Sequence, residues 1–365
     1  MSGLPPFPPT PLPVLPPPEA GSTWACVDLP GRNGLPDQRI EARGPFLERA
    51  VPPDDQLAFY INDFALSCRH PWLIPAQTGA GIPGTPAAPP VFPAHWNEPG
   101  REAFQQVFQD AMQAIRQRQL LKVVPVSNAT ARLIADPGPA LHELLRPGRI
   151  AGMGHAAAWG NGTRGFATIT PEVLFEISGN QLSTMALAGT SDASHEADLR
   201  QGPKLAREHE IVVDELHRRL ANLVRVSLTA REVVKLGTVR HLRTTLSVTL
   251  PEAPRGQALN ELIQLLHPTP ALGISPRNEE TLGQLRRFRA TCGVPGAFGA
   301  PMGVAWPGGA VFLVAIRGLF WEDQTLHLPA GGGLVAGSDF ETEWAELELK
   351  RNWVRHAFHL DPAHV

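Results

Sequence analysis

The 365-residue chain has only three cysteines, Cys26, Cys68 and Cys292, far apart and without a CxxC pair. An odd, scattered set excludes both a disulfide framework and a thiolate metal site, and suits a reducing compartment. Each reads instead as a small apolar side chain. Nor is there an excess of charge: 32 Lys and Arg face 35 Asp and Glu, for a formal charge of −3. Such a balance offers no surface for tracking phosphates, which argues against a nucleic-acid partner. No apolar run approaches the roughly 18 residues of a membrane span. The first ten residues, MSGLPPFPPT, have neither the basic start nor the apolar core of an export signal. Internal repeats are absent too. The expectation is a soluble, cytoplasmic protein, in contact with neither membrane nor nucleic acid.

What the chain does have is 43% hydrophobic residues, with 38 prolines and 34 glycines. That apolar share is enough for a real core and rules out wholesale disorder. Nine of the prolines fall in residues 1–20, where missing backbone donors predict an extended, solvated leader. Residues 77–93, QTGAGIPGTPAAPPVFP, predict a long surface loop.

Beyond that loop the pattern becomes periodic. Phe104, Val107, Phe108, Ala111, Met112 and Ile115 place one apolar stripe on a helix. LKVVPV, residues 121–126, reads as a short buried strand. Further strands are predicted over 165–169, 173–177, 182–186, 224–228, 232–250 with a break near Gly237, 310–320 and 325–328. Turns at Ser178-Gly179-Asn180 and Glu322-Asp323 favour antiparallel hairpins. Helices are expected over about 196–222, 257–266, 277–290 and 339–358, the last opened by a Ser338-x-x-Glu341 capping box. The elements are mixed without strict β-α-β alternation, so a doubly wound parallel sheet is excluded.

Several residues could carry chemistry. Glu343, Glu346 and Lys350 share one face of the last helix, just after Ala330-Gly331-Gly332-Gly333, a passage with no side chains to keep a ligand from the backbone. Arg317 follows an apolar strand and is placed to grip a carboxylate with two hydrogen bonds. By themselves these residues fit either a solvated salt-bridge ladder or a site for a doubly anionic ligand with a hard cation such as Mg²⁺. Glu208, beside His209, is a further carboxylate on a separate helix. Lys122 enters an apolar strand, either reaching to the surface or desolvated into a usable base. Glu172 follows Pro171, and a structural carboxylate is the simplest reading there.

Taken in order, these segments resemble the chorismate-utilising enzymes, which include isochorismate, salicylate, anthranilate and aminodeoxychorismate synthases. The resemblance covers about residues 98–358. It rests on Lys122-Val123-Val124-Pro125, Thr170-Pro171-Glu172-Val173-Leu174, Ala188-Gly189-Thr190, Lys204…Glu208-His209, His267-Pro268-Thr269-Pro270-Ala271-Leu272, Ala315-Ile316-Arg317, Ala330-Gly331-Gly332-Gly333-Leu334-Val335 and Glu343-Trp344…Glu346…Lys350. The family's α/β fold is implied: two large antiparallel sheets packed face to face, helices outside, as in anthranilate and aminodeoxychorismate synthases. One catalytic domain over residues 21–365 then replaces the two or three domains that length alone suggests, because the implied site runs from Lys122 to Lys350.

The resemblance also implies roles. Glu208 and Glu346 would hold Mg²⁺, with Glu343 near it and acting through water. Arg317 and a backbone group near Gly331 would hold the enolpyruvyl carboxylate, while Gly189, Thr190, His241, Ala271, Leu272 and Lys350 line the pocket. Members that add ammonia carry Gln where this chain has Lys122, and one type of aminodeoxychorismate synthase has a nucleophilic lysine where this chain has Ala188. Both positions point to water as the nucleophile. Ala271, where salicylate synthases typically carry Thr, points to an isochorismate synthase in siderophore or menaquinone synthesis. In that activity Lys122 is the general base and Glu172 the general acid, in opposite protonation states. A monomer with chorismate as substrate and no glutaminase subunit is expected. The chain departs from the family pattern at Val126-Ser127, Leu205, Ser191-Asp192 and Pro295.

Overall fold

The computed structural model describes residues 12–29, 38–80, 96–146, 150, 152–192, 202–222, 225–236 and 239–360. The first 11 residues of the leader, and residues 81–93 of the predicted loop, lie outside these. The described end of the leader is largely exposed, as expected, but it is anchored. Val14 bridges Ala80, the amide of Ala80 donates to the Pro13 carbonyl at 2.9 Å, and Leu15 is buried. The leader thus covers the edge of the strand Trp72–Ala80, which takes in residues 77–80 of the predicted loop.

Seventeen strands join in one antiparallel hydrogen-bonded network, running from Trp96–Asn97 at one end to Val226–Leu228 and Glu232–Leu236 at the other. Its two halves meet at the 12-residue strand Gln38–Arg49, which pairs with Trp24–Leu29 on one side and Trp72–Ala80 on the other. A register shift between Arg43 and Phe46 bends this strand, as an irregularity in a ladder does. The expected pair of sheets is therefore one ribbon folded on itself. Phe166 and Phe320 from one half share a single apolar cluster with Phe59, Phe175 and Phe312 from the other.

Side-chain alternation sets the layers. In the first half, Ala25, Val27, Ala157, Phe166 and Phe320 point to this inner cluster. Their neighbours Trp24, Cys26, Ala156, Ala158, Ala167 and Trp321 point the other way, into a second cluster. That outer face is covered by helices from both ends of the sequence. Among the described residues there are six: α1 (Arg101–Arg116), α2 (Gly138–Leu144), α3 (Pro203–Ala221), α4 (Gln257–Leu266), α5 (Glu279–Thr291) and α6 (Phe340–Ala357). Leu141 and Leu144 of α2, with Trp353 and Val354 of α6, join the outer cluster. Residues 196–201 of the helix expected over 196–222 lie outside the described residues, as does Val224 of the strand expected over 224–228. No described helix is long and apolar enough to cross a membrane.

Three local expectations are corrected. Residues 121–126 are two strands, Lys122–Val123 and the start of Val126–Arg132, because Pro125 lacks the donor a continuous ladder needs. Residues 310–320 are likewise two, Gly309–Val314 and Gly318–Glu322, separated by a turn at Ile316 and Arg317. The cap of α6 is Asp339, whose carboxylate accepts from the Thr342 amide at 3.0 Å, while Ser338 accepts from Val335. An anionic carboxylate is a good acceptor at the positive end of the helix dipole.

Candidate active site

Lys122 is placed by a two-stranded sheet in which Lys122–Val123 pairs with Ile274–Ser275. On its other side Val123 exchanges hydrogen bonds with Leu334, at 3.1 and 2.8 Å. Held from both edges, the lysine is fully buried. Its Nζ lies 3.0 Å from Glu208 Oε1, yet off the hydrogen-bond direction, so charge alone pairs them. A buried ammonium without that carboxylate would be several kcal/mol worse off. The surface-reaching alternative is thereby excluded.

Glu172 ends the approach to the strand Val173–Ser178 and is also buried. Its carbonyl accepts from the Val314 amide, and its Oε1 accepts from Thr269 Oγ1 at 3.1 Å. Burial pushes the carboxyl up to about 7, against the opposing effects of Thr269 and the nearby Lys122 charge. It can therefore hold or release a proton near neutrality. Thr269 had no role assigned from sequence; it lies 97 residues from Glu172, and nothing short of the tertiary structure joins them. The loop bearing it is fixed by buried His267, whose Nε2 donates to the Phe64 carbonyl at 2.8 Å.

Gly189 is the extra residue of a bulge in the strand Gln181–Asp192, where Ala188 pairs with Leu242 and Thr190 with His241. Its φ of +75° is left-handed, which glycine adopts without a Cβ clash. The bulge sets Thr190 Oγ1 3.3 Å from His241 Nδ1. Arg317 Nη2 donates to His241 Nε2 at 3.1 Å, so that nitrogen is the acceptor and the ring proton sits on Nδ1, facing Thr190 and the Gly189 backbone. Burial, then the charges of Arg317 and Lys350, hold this imidazole well below its ordinary value, and it is neutral.

Arg317 itself has a left-handed φ of +57°, uncommon for a residue with a side chain. Such strain gathers at functional sites. Its guanidinium is buried over the Trp353 ring at 5.5 Å, and desolvation lowers it to about 10, still a cation at neutral pH.

The α6 face is no solvated ladder, since Glu343 is buried. Lys350 Nζ lies 2.6 Å from Glu346 Oε1 and donates to the Gly331 carbonyl at 2.7 Å. Lys204 Nζ, from the first turn of α3, lies 2.5 Å from Glu343 Oε1. The glycines give these side chains room: a Cβ at Gly333 would fall 2.1 Å from Glu208 Oε1 and 2.9 Å from Lys122 Cε. Burial, then the neighbouring Glu346, raises the Glu343 carboxyl. Burial would raise Glu346 too, but Lys350, Lys204 and Arg317 outweigh it and hold that carboxyl low.

One pocket is lined by Glu172, Gly189, Thr190, Glu208, His241, Ala271, Leu272, Arg317, Gly331 and Lys350, ten of the thirteen site residues expected from sequence. Lys122 and Glu346 adjoin it through Glu208 and Lys350. Glu343 stands behind the glycine loop, its Oε2 3.7 Å from where a Gly332 Cβ would be. Val124, Leu187, Phe298 and Ile316, apolar residues to which no role was assigned from sequence, also line the wall.

The donors suit a hard divalent cation, being carboxylate oxygens from two helices. Glu208, Glu343 and Glu346 all act on the Lys204 ammonium, Glu343 most strongly. Each is nonetheless turned onto a lysine, and among the described residues no group of three or more acidic, histidine or cysteine side chains is assembled to hold a metal. The ligand type fits Mg²⁺, while lysines already balance the charge.

Residues 84–358 match the family model described as chorismate binding enzyme. Among curated proteins, isochorismate synthase MenF of Pasteurella multocida is 30% identical over 259 residues, 66% of this chain and 58% of that protein. The salicylate biosynthesis isochorismate synthase of Pseudomonas aeruginosa is 32% identical over 260 residues, 68% of this chain and 53% of that one. The matches thus span little more than half the length of these relatives. Among solved structures, MenF of Escherichia coli, a menaquinone-specific isochorismate synthase, superposes with a TM-score of 0.74 at 19% identity, covering 92% of this chain and 88% of that one. Anthranilate synthase component I from Streptococcus pneumoniae does so at 0.59 and 18%, over 73% and 60%. The fold is therefore the one these enzymes share, and with the family model matched from residue 84 to residue 358 the chain belongs to the chorismate-binding enzyme family.

Proposed function

We propose that the chain is an isochorismate synthase, converting chorismate to isochorismate by adding water at C2 and expelling the C4 hydroxyl. The observation that carries this reading is Glu172, buried in the same pocket wall as Arg317 and pushed up to about 7. A general acid works best with a pKa near the operating pH. Lys122, whose charge acts on Glu172, has the position of a base, buried and without a directed hydrogen bond from its Nζ.

In the proposed reaction a water loses its proton to Lys122, which acts in its neutral form, as its oxygen bonds to C2. The ring double bonds shift, the C4–O bond breaks with its electron pair, and Glu172 donates the proton that completes the departing water. One water enters and one leaves, so the reaction is an isomerisation without redox change. Arg317 and Lys350 pair with substrate carboxylate, and neutral His241 fixes the guanidinium by accepting its Nη2 proton. Mg²⁺ held by Glu208 and Glu346, with Glu343 acting through water, would neutralise the ring carboxylate. Siderophore and menaquinone synthesis are the routes in which the product would be used.

Incubating the purified protein with chorismate and Mg²⁺, with and without ammonium, and resolving the products by chromatography tests this reading. Isochorismate alone is expected. Salicylate with pyruvate would make it a salicylate synthase, anthranilate or aminodeoxychorismate on adding ammonium an ammonia-using enzyme, and no product a binding protein.

A further inference from the structure

Lys204 has no part in the chemistry above, yet it sits where the carboxylates of α3 and α6 meet. Its Nζ is 2.5 Å from Glu343 Oε1, and that carboxylate is almost fully buried. Burial alone would lower the ammonium, but Glu343, then Glu346 and Glu208, outweigh it and hold it above its ordinary value. Geometry also brings Glu208 and Glu343 to the same glycine loop. The first faces Gly333 and the second Gly332, consecutive residues with Cα atoms about 3.8 Å apart.

Each of these carboxylates already has a cation beside it. Glu208 pairs with Lys122, Glu343 with Lys204 and Glu346 with Lys350, and the Arg317 charge acts on Glu346 as well. A dication entering beside all three lysines would add two uncompensated charges to a buried site. Of the three, Lys122 is fully enclosed and Lys350 is tied to the Gly331 carbonyl, whereas the Lys204 side chain is 29% exposed and has a path to water. A long side chain can move its ammonium into solvent while its stem stays packed.

We infer that Lys204 is a tethered counter-cation: it neutralises the carboxylates of the site when no divalent cation is bound, and withdraws from Glu343 when one binds. This rests on the proposal that those glutamates take Mg²⁺. The consequence is that Lys204 weakens Mg²⁺ binding, since the ion must displace an ammonium already in place, and that it stabilises the metal-free protein.

Magnesium titration of the full chain by calorimetry, after EDTA treatment and without chorismate, tests the inference apart from activity. Lys204→Met is expected to tighten the Mg²⁺ Kd about tenfold relative to wild type, the scale of one ion pair at a half-buried site. Thermal melting should show a lower Tm than wild type in EDTA and a larger rise on adding Mg²⁺. Lys204→Arg, which keeps the charge, should bind Mg²⁺ much as wild type does, and Lys204→Gln provides a second neutral variant if the methionine form does not fold. If wild type binds Mg²⁺ and the neutral variants bind it equally or more weakly, Lys204 is not a counter-cation. If neither wild type nor the neutral variants bind Mg²⁺, the metal reading itself fails and the inference falls with it.

Discussion

Replacing Glu172 with Gln should separate activity from stability in a way that reports on one proton. The side chain keeps its shape, and Thr269 Oγ1 can still donate to the amide oxygen, as it now does to Oε1 at 3.1 Å. What disappears is the ability to give up a proton, and turnover should fall 10²- to 10⁴-fold, the usual worth of a general acid. The same substitution should stabilise the fold at neutral and alkaline pH. Burial raises this carboxyl from 4.5 to about 7. A raised folded-state pKa contributes stability that is complete below the unfolded value of 4.5 and lost as pH rises through about 7. Between pH 5 and pH 8 the loss is about 2 to 3 kcal/mol, taking 1.36 kcal/mol per pKa unit. Gln does not titrate and escapes it. Urea unfolding of both proteins at pH 5 and pH 8 should therefore show the stability of Glu172→Gln relative to wild type rising by that amount. Wild-type kcat should fall with unit slope above about pH 7, where the acid loses its proton. An active Gln variant would refute the assignment as acid. A stability difference equal at the two pH values would refute the neutral carboxyl.

Lys122→Met should abolish detectable isochorismate formation while chorismate binding, followed by calorimetry, stays within about tenfold of wild type; normal turnover would remove it as the base. Gly333→Ala places a Cβ 2.1 Å from Glu208 Oε1, so Glu208 must move, and activity should fall at least tenfold while a circular dichroism spectrum stays native. Arg317→Gln removes a charge-assisted contact worth about 1.5–3 kcal/mol, so KM for chorismate should rise roughly 10- to 150-fold; an unchanged KM would show that Arg317 does not hold the substrate.

Much of the α6 site was legible because helical spacing is local: Glu343, Glu346 and Lys350 share a face whatever the helix packs against. What they face was not legible. Lys204 is 139 residues from its partner Glu343 and Lys122 is 86 residues before Glu208, and no period in the sequence relates them. Residues 310–320 read as one strand, with Arg317 directly after its most apolar part. Its left-handed turn escaped notice because Arg317 is not a glycine, the usual sign of such a conformation. For the strands Trp24–Leu29, Gln38–Arg49 and Ala58–Ile61 there was no expectation from sequence, and the end of Trp72–Ala80 fell in the segment whose Gly and Pro read as a loop.

The sequence by itself determined the kinds of element, the absence of a charge surface or thiol site, and, through eight ordered motifs, the family and the set of side chains at the pocket. Local propensity and residue chemistry are enough for that. Only the tertiary structure decided that the strands join in a single folded ribbon, that Thr269 holds Glu172, and that each metal-type carboxylate rests on a lysine. Those outcomes depend on burial and on distances between residues far apart in the chain, where desolvation and Coulomb energy are set by three-dimensional neighbours.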